Sequence, residues 1–456
     1  MTPIKKVSLM AFICLLITSC KDEKVQLTII EEQVEAPFDM APIKSPDFSN
    51  CPVISIVDKG AVEGNQQATE QAIQAAIIEA NAAGCGTVKI PKGEWLTGKL
   101  HFKSNVNLHL EEGAVLLFSD NPKDYLPAVH TTWEGMECYN YSPLIYAYEC
   151  ENVAITGKGE LRAKMGTWEK WFGRPPGHMN SLKRLYNLAA KSDDVEERQM
   201  VNDSANLRPH FIQFNRSKNI LLEDVTITNS PFWVIHPYLS NDVTIRRVKV
   251  TAHGHNNDGV DPEMSQNVLI EDCVFDQGDD AIAVKSGRNQ DAWRLNTPSK
   301  NMVIRNCTVK NGHQLLAVGS ELSGGIENIL IDNCVVEDKA SLFHLLFIKT
   351  NERRGGYVKN IIMNNIKANE VRNGVLGIET DVLYQWKDLV PTYERRLTPI
   401  SDVSLTNVQL KKGNFMSRIM GQEEEPVKNV SLINVKVDSL LGEQMIHENV
   451  IGFKMD

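Results

Sequence analysis

The sequence predicts an all-β solenoid, a parallel β-helix, and three observations predict it. One nine-residue pattern returns eight times between residues 219 and 437, at intervals of 23 to 42 residues. Within each copy the apolar side chains recur at every second residue, the period of a strand with one buried face. The copies carry no 3.6-residue periodicity, which excludes the helical solenoids. A chain that repeats one strand unit at such intervals buries its apolar face by coiling on itself and stacking parallel strands.

The copies are NILLEDVTI at Asn219, DVTIRRVKV at Asp242, NVLIEDCVF at Asn267, NMVIRNCTV at Asn301, NILIDNCVV at Asn328, NIIMNNIKA at Asn360, DVSLTNVQL at Asp402 and NVSLINVKV at Asn429. Each opens on Asn or Asp and turns polar at its fifth step. Six residues past each opening stand Val225, Val248, Cys273, Cys307, Cys334, Ile366, Val408 and Val435. Two further on stand Ile227, Val250, Phe275, Val309, Val336, Ala368, Leu410 and Val437. Both columns are apolar throughout, so both are expected in the core. The three cysteines then act as small apolar residues, free or with two of them oxidised to a stacked disulfide. The nine cysteines include no CxxC pair, so no zinc or redox signature is present.

From the N-terminus, MTPIKK followed by VSLMAFICLLIT and TSC reads as an export signal, residues 1–19. LITSC resembles a bacterial lipobox, which implies cleavage before Cys20, a lipid on its thiol and an outer-membrane lipoprotein on the periplasmic or cell-surface face. An ordinary secretory signal is the alternative. Residues 20–50 are acidic and patternless, and are expected to be a lipidated tether. The β-helix is expected over 51–456. Residues 69–83, TEQAIQAAIIEANAA, place Ala72, Ile73, Ala76, Ile77 and Ala80 on one face of a helix that caps the first sheet edge. The tail after Asp438 is expected to cover the other end. Between Asn152 and Asn219 lie about forty residues more than one coil needs, including GTWEKWFGRPPGH. They are expected to form a long loop leaving the coil, functional or disordered, with 165–207 a candidate wall. Trp133, Trp168, Trp171 and Trp233 are candidates for sugar stacking or for core packing.

The formal charge of −10 argues against a nucleic-acid partner, and removal of Lys5 and Lys6 with the signal deepens it by two. No apolar run beyond the signal is long enough to span a bilayer. A single-chain protein is expected.

Four consecutive coils carry polar segments at comparable places: NNDGVDPE (256–263), QGDDAIAVKSG (277–287), NGHQLLAVGSE (311–321) and FIKTNERRGG (347–356). Strands stacked about 4.8 Å apart bring them into one stripe. Asp258, Asp279, Asp280, His313 and Lys349 would then be neighbours. Paired carboxylates suit glycoside hydrolysis, one as acid and one activating water. Solvated turns are the alternative reading, as turns of such coils are rich in Asn, Asp and Gly.

These four segments, in this order, resemble the signatures of glycoside hydrolase family 28, the polygalacturonases. The resemblance runs from about residue 53 to at least 380. It implies a right-handed parallel β-helix and an inverting hydrolase of α-1,4-linked galacturonic acid in pectin that needs no cofactor or metal. It makes Asp279 the general acid, Asp258 and Asp280 the residues that hold and activate water, and His313 a support for the acid. Lys349 would pair with a substrate carboxylate, and Asn256, Lys285 and Arg288 are further substrate-binding candidates, with a solvated surface charge as the other reading of Arg288. NNDGVDPE, GSELSGG and SPFWVIHP (230–237) look like the bacterial exo-acting branch. One position departs from the family: Phe347 stands where its arginine is expected. That leaves room for a rhamnogalacturonan or other decorated pectin, for Arg353 or Arg354 as a replacement cation, or for a glycan-binding lipoprotein. A calcium-dependent pectate lyase using Asp258, Asp261, Asp279 and Asp280 is a further alternative.

Overall fold

The computed structural model describes residues 26–202, 204–337, 340, 342–383 and 394–456. The export signal and Cys20 lie outside the described residues. The chain winds as a right-handed parallel β-helix with three stacks of strands along its length. The first stack contains the opening halves of the repeats, such as Lys218–Glu223, Asn241–Arg246, Gln266–Glu271, Ser299–Arg305 and Ile326–Asp332. The second contains their closing halves, from Thr226–Thr228 through Val274–Gln277 to Val335–Val336. The third runs through Leu100–His101, Ile145–Tyr148, Ile212–Asn215, Ile235–Tyr238, Ile282–Val284, Gln314–Gly319 and Leu342–Lys349.

The Asn or Asp that opens each repeat has a structural cause. All eight sit in the left-handed region, with φ between 54° and 59°. The polar residue at the fifth step does the same, with φ between 50° and 65° from Asp224 to Asn434. A short side chain with a hydrogen-bonding end tolerates this conformation best. Successive coils then join their turn side chains into ladders: Asn328 Nδ2 donates to Asn301 Oδ1 at 3.0 Å and Asn360 Nδ2 to Asn328 Oδ1 at 2.8 Å. Between the two turns the side chains enter the core. Val225, Val248, Cys273, Cys307, Cys334, Ile366 and Val408 are all buried, and the three cysteines are free thiols.

The capping helix α1 spans Gln66–Ala82, with Asn65 as its N-cap, and buries Ala72, Ile73, Ala76, Ile77 and Ala80 as the periodicity predicts. A disulfide between Cys51 and Cys85 links the chain before this helix to the chain after it, a pairing the sequence reading did not anticipate. The C-terminal tail closes the far end as one more coil: Met445–Glu448 pairs in parallel with Phe415–Met420, and Val450 and Phe453 pack on the core.

Two expectations are corrected. Residues 28–47 are not a free tether. Thr28–Glu32 and Ile43–Asp47 form an antiparallel hairpin, and Val34, Met40 and Ile43 pack on Leu269, Val303 and Leu330 of the first stack. The outward apolar residues of those coils need this cover. The excess between 152 and 219 is not a loop throughout. It contains helix α2, Pro176–Lys191, whose Leu182, Leu185, Tyr186 and Ala189 pack with Trp133, Met136 and Trp233 in a core of their own. The helix is amphipathic against a hairpin, Val129–Trp133 with Met136–Asn140, that leaves the coil ahead of it.

Candidate active site

Parallel register sets the site. The bridges Val260 to Ile282 and the pairing Ile282 to Leu316 to Leu346 align four coils. Counting back two residues, Asp258, Asp280, Gln314 and His344 form one column. Asp279, His313 and Phe343 form the next. Gly278 lets the aspartate pair sit this close to the preceding coil, because a Cβ there would lie 2.7 Å from the Gly254 carbonyl oxygen and 2.8 Å from the backbone of His253. The resulting cavity of about 470 Å³ is lined by Asp258, Asp279, Asp280, His313, Lys349, Asn256, Lys285 and Arg288. Every sequence-predicted site residue is therefore in one place.

Their roles within it differ from expectation in two cases. Lys285 is 3% exposed, and its Nζ lies 3.6 Å from Asp258 Oδ2, 3.6 Å from Asp261 Oδ1 and 3.3 Å from Glu321 Oε2, above the Trp233 ring. Arg288 is 2% exposed and bonded to Glu134 and Glu321. Neither is a solvated charge, although both line the cavity. Both neutralise carboxylates that the fold has buried, since an unpaired buried charge is very costly.

The remaining groups pair in turn. Lys349 Nζ lies 3.1 Å from Asp280 Oδ2, and His313 Nδ1 lies 3.0 Å from Asp279 Oδ1. Burial pushes the Asp258 and Asp261 carboxyls up, and each is pushed further by a neighbouring carboxylate, Asp279 for Asp258 and Asp258 for Asp261. Lys285 faces all three carboxylates, and Glu321 is shared with Arg288. Burial also raises Asp280, against the opposing pull of Lys349. Burial would raise Asp279 as well, but the hydrogen bond from His313 and its charge bring it below the ordinary value. The same bond raises His313. Asp279 and His313 thus hold one proton between them.

Two oxygens stand out. Asp258 Oδ1 and Asp280 Oδ1 are buried without a hydrogen-bond partner among the described residues. They belong to residues stacked on adjacent coils and lining one cavity. Buried acceptors are almost always bonded, so this pair marks where a water or a substrate hydroxyl is held. Asp279, Asp280 and His313 also offer three ligand atoms within 4.8 Å of one another. A cation there would have to displace Lys349 and break the His313 bond, so the donor set fits a metal poorly.

The 165–207 insertion, expected as a wall, brings Arg174 into the cavity lining, and the tip of the 129–140 hairpin adds Glu134, which the sequence did not single out. Arg208 Nη2 donates to Asn256 Oδ1 at 3.0 Å and Arg174 Nη2 does so at 3.4 Å. Arg174 Nε has no partner among the described residues. Burial and the charge of Arg174 pull Arg208 down to about 9. Arg174 Nη2 also lies 3.6 Å from Glu134 Oε1, and Arg208 donates to the Pro231 and His255 carbonyls. Only the chain's path through the insertion brings Arg174 here, and no local motif announces it. Arg353 and Arg354 do not replace the expected arginine: both are buried off the cavity lining, with Arg354 bonded to Ser320 O and Asn289 Oδ1. Phe347 stacks on His344, centroids 4.5 Å apart, over Gly377, where a Cβ would lie 2.9 Å from the ring. Trp133 and Trp168 are core residues, and Trp233 lines the cavity beneath Lys285.

The model of glycosyl hydrolases family 28 matches residues 195–451. A probable polygalacturonase from Vitis vinifera is 27% identical over 399 residues, covering 84% of this chain and 74% of its own length. An exo-poly-alpha-D-galacturonosidase from Dickeya chrysanthemi is 28% identical over 307 residues, 62% of this chain, and the chain spans 50% of that relative. Among solved structures, a hyperthermoactive exopolygalacturonase from Thermotoga maritima superposes with a TM-score of 0.81 at 36% identity, covering 91% of this chain and 94% of that one. A family 28 exopolygalacturonase from Yersinia enterocolitica, at 21% identity and a TM-score of 0.70, shares the fold.

Proposed function

The chain belongs to glycosyl hydrolases family 28, and from that premise we propose that it removes galacturonate from the end of α-1,4-linked galacturonan with inversion at the anomeric carbon. The observation that carries this is the cavity lining: three aspartates meet there with Arg174, which the insertion brings in, and Glu134, from the tip of the hairpin. Segments that leave the coil to line the cavity suit a chain end better than the middle of a polymer, and an arginine suits a uronate carboxylate.

The residues divide the work. The proton held on His313 is relayed through Asp279 to the glycosidic oxygen. A water held by Asp258 Oδ1 and Asp280 Oδ1 attacks the anomeric carbon from the opposite face. The bond to the leaving oxygen breaks, the new hydroxyl forms, and the water's proton passes to a carboxylate of the Asp258 and Asp280 side. Asp261 and Lys285 hold Asp258 in place and set its charge. Lys349 opposes the burial that raises Asp280 and faces the next sugar, and Asn256 orients Arg174 and Arg208. Arg174 supplies the cation that Phe347 does not. The calcium-dependent lyase reading is disfavoured because Lys285, Lys349 and His313 already neutralise its carboxylates.

The chain is also proposed to be a lipoprotein held through Cys20 in the outer membrane. Because the packed hairpin begins at Thr28, residues 21–27 would tether the enzyme within about 25 Å of the lipid. Loss of lipid labelling in Cys20→Ser tests this.

The catalytic proposal is tested by product analysis on polygalacturonate and galacturonate oligomers, with and without chelator, alongside Asp279→Asn. Monogalacturonate released from chain ends, unaffected by chelator and abolished in Asp279→Asn, is expected. Unsaturated or internally cut products would overturn it.

A further inference from the structure

The third stack does not end at the catalytic cavity. Its outward columns continue toward the N-terminus. Phe347, Ala317, Ala283 and Asp261 share a column with His236, Gln213 and Tyr146. Lys349, Gly319, Lys285 and Glu263 share the next with Tyr238, Asn215 and Tyr148. The 129–140 hairpin lies across these columns at the Ile212–Asn215 coil. Thr131 Oγ1 donates to Gln213 Oε1 at 2.8 Å, Asn215 Nδ2 donates to the His130 carbonyl at 3.0 Å, and Arg216 is bonded to Glu137. The tip of the hairpin, at Glu134, lines the catalytic cavity. Its base, at His130 and Tyr139, forms one side of a second cavity of about 410 Å³.

That second cleft is aromatic. Tyr146 and Tyr148 are stacked at 6.0 Å, and His130 and Tyr139 at 5.6 Å with 15° between their planes. His101 meets Tyr146 edge-on at 5.5 Å. Lys103 is exposed at its rim, Tyr148 is 37% exposed, and no carboxylate lines it. Burial and the charges of Lys99 and Lys103 pull His101 down to about 4, so its ring is neutral at neutral pH. On a chain of charge −10, a lining of partly exposed rings and a lysine is a local inversion of the surface. Flat apolar faces with a single cation are complementary to a uronate: the rings cover the C–H face of the sugar and the ammonium meets its carboxylate.

We infer that this cleft is a second binding site for galacturonan, separated from the catalytic pocket by the hairpin and engaging a stretch of polymer other than the end being cut. The inference rests on the proposed activity. The site begins three coils, about 14 Å, from the Asp258 coil. Because the hairpin blocks the path between them, one extended segment cannot occupy both. The cleft therefore holds the enzyme on its insoluble or entangled substrate while chain ends enter the pocket, a bivalent arrangement that raises the local concentration of ends.

The test uses the full chain in detergent. In an Asp279→Asn background, titration calorimetry with trigalacturonate is expected to show two sites, of which Tyr148→Ala and Lys103→Ala each remove one. In the otherwise unaltered chain, the same two substitutions are expected to leave trigalacturonate hydrolysis unchanged and to slow release from long polygalacturonate several-fold. A single binding site in the Asp279→Asn chain, or equal polymer rates with and without the substitutions, would overturn the inference. Equal binding of a neutral galactan would overturn its uronate part. Failure of the unsubstituted chain to hydrolyse trigalacturonate would instead overturn the activity on which it rests.

Discussion

Replacing Lys285 by Met separates the two roles this lysine was open to. As a substrate cation, its loss would weaken binding and leave the fold alone. Its Nζ lies within 3.6 Å of Asp258, Asp261 and Glu321, the last shared with Arg288, and it is almost fully buried. Removing one partner from such a cluster costs about 3–5 kcal/mol, because the carboxylates remain. With about 2.1 cal/mol/K of unfolding entropy per residue, that corresponds to a fall in Tm of roughly 3–5 °C for a chain this long. The loss should depend on pH. Burial opposes the charge of Lys285, but Glu321, Asp258 and Asp261 hold it charged far above neutrality, so in the parent chain it contributes no pH slope between pH 5 and 8. In Lys285→Met the orphaned carboxyls take up protons in the folded state that the unfolded chain does not bind. Stability then falls as pH rises, by about 1.4 kcal/mol per unit for each such group. Scanning calorimetry at pH 5 and pH 7.5 should find the deficit small in acid and full at the higher pH. An unchanged Tm at both values with a raised KM would refute the charge-neutralising role and restore Lys285 as a substrate ligand.

Three further outcomes are expected. The bond to Asp279 raises His313, so the proton they share is present at low pH and is lost as pH rises through the raised imidazole value; the alkaline limb of kcat should lie above pH 6.5. His313→Gln should lower kcat about 10- to 100-fold and move that limb toward acid, whereas an unchanged profile would remove His313 from proton delivery. Arg174→Ala should raise KM for galacturonate oligomers by 10-fold or more while changing kcat less, consistent with a lost charge-assisted contact of about 1.5–3 kcal/mol; an equal fall in kcat alone would place Arg174 outside substrate binding. Cys51→Ser should destabilise the chain by about 3–4 kcal/mol, as expected for a closed loop of 34 residues, and reductant should reproduce the effect in the parent protein; no difference between oxidised and reduced protein would show that α1 caps the sheet without it.

Much of this molecule is legible in one dimension. The alternation after Asn219, Asp242, Asn267 and their successors specifies parallel coils, because a period of two admits one buried face and a repeated unit must stack to bury it. Stacking at a fixed spacing then brings Asp258, Asp279, Asp280, His313 and Lys349 together, since residues at equivalent places on adjacent coils are neighbours by construction. The cap face of α1 is readable for the same reason, as its burial is local and periodic.

What the third dimension decided lies off the repeat. The 28–47 hairpin has too few residues and too little pattern to declare itself, and its partners Leu269, Val303 and Leu330 are more than two hundred residues away. The wall of Arg174 and Glu134, and the pairing of Cys51 with Cys85, depend on where irregular segments return to the coil. The destinations of Lys285 and Arg288 depend on burial. A sequence shows that a cation stands near carboxylates, but whether it meets water, substrate or a buried acid is set by solvent exclusion, which exists only once the chain has folded.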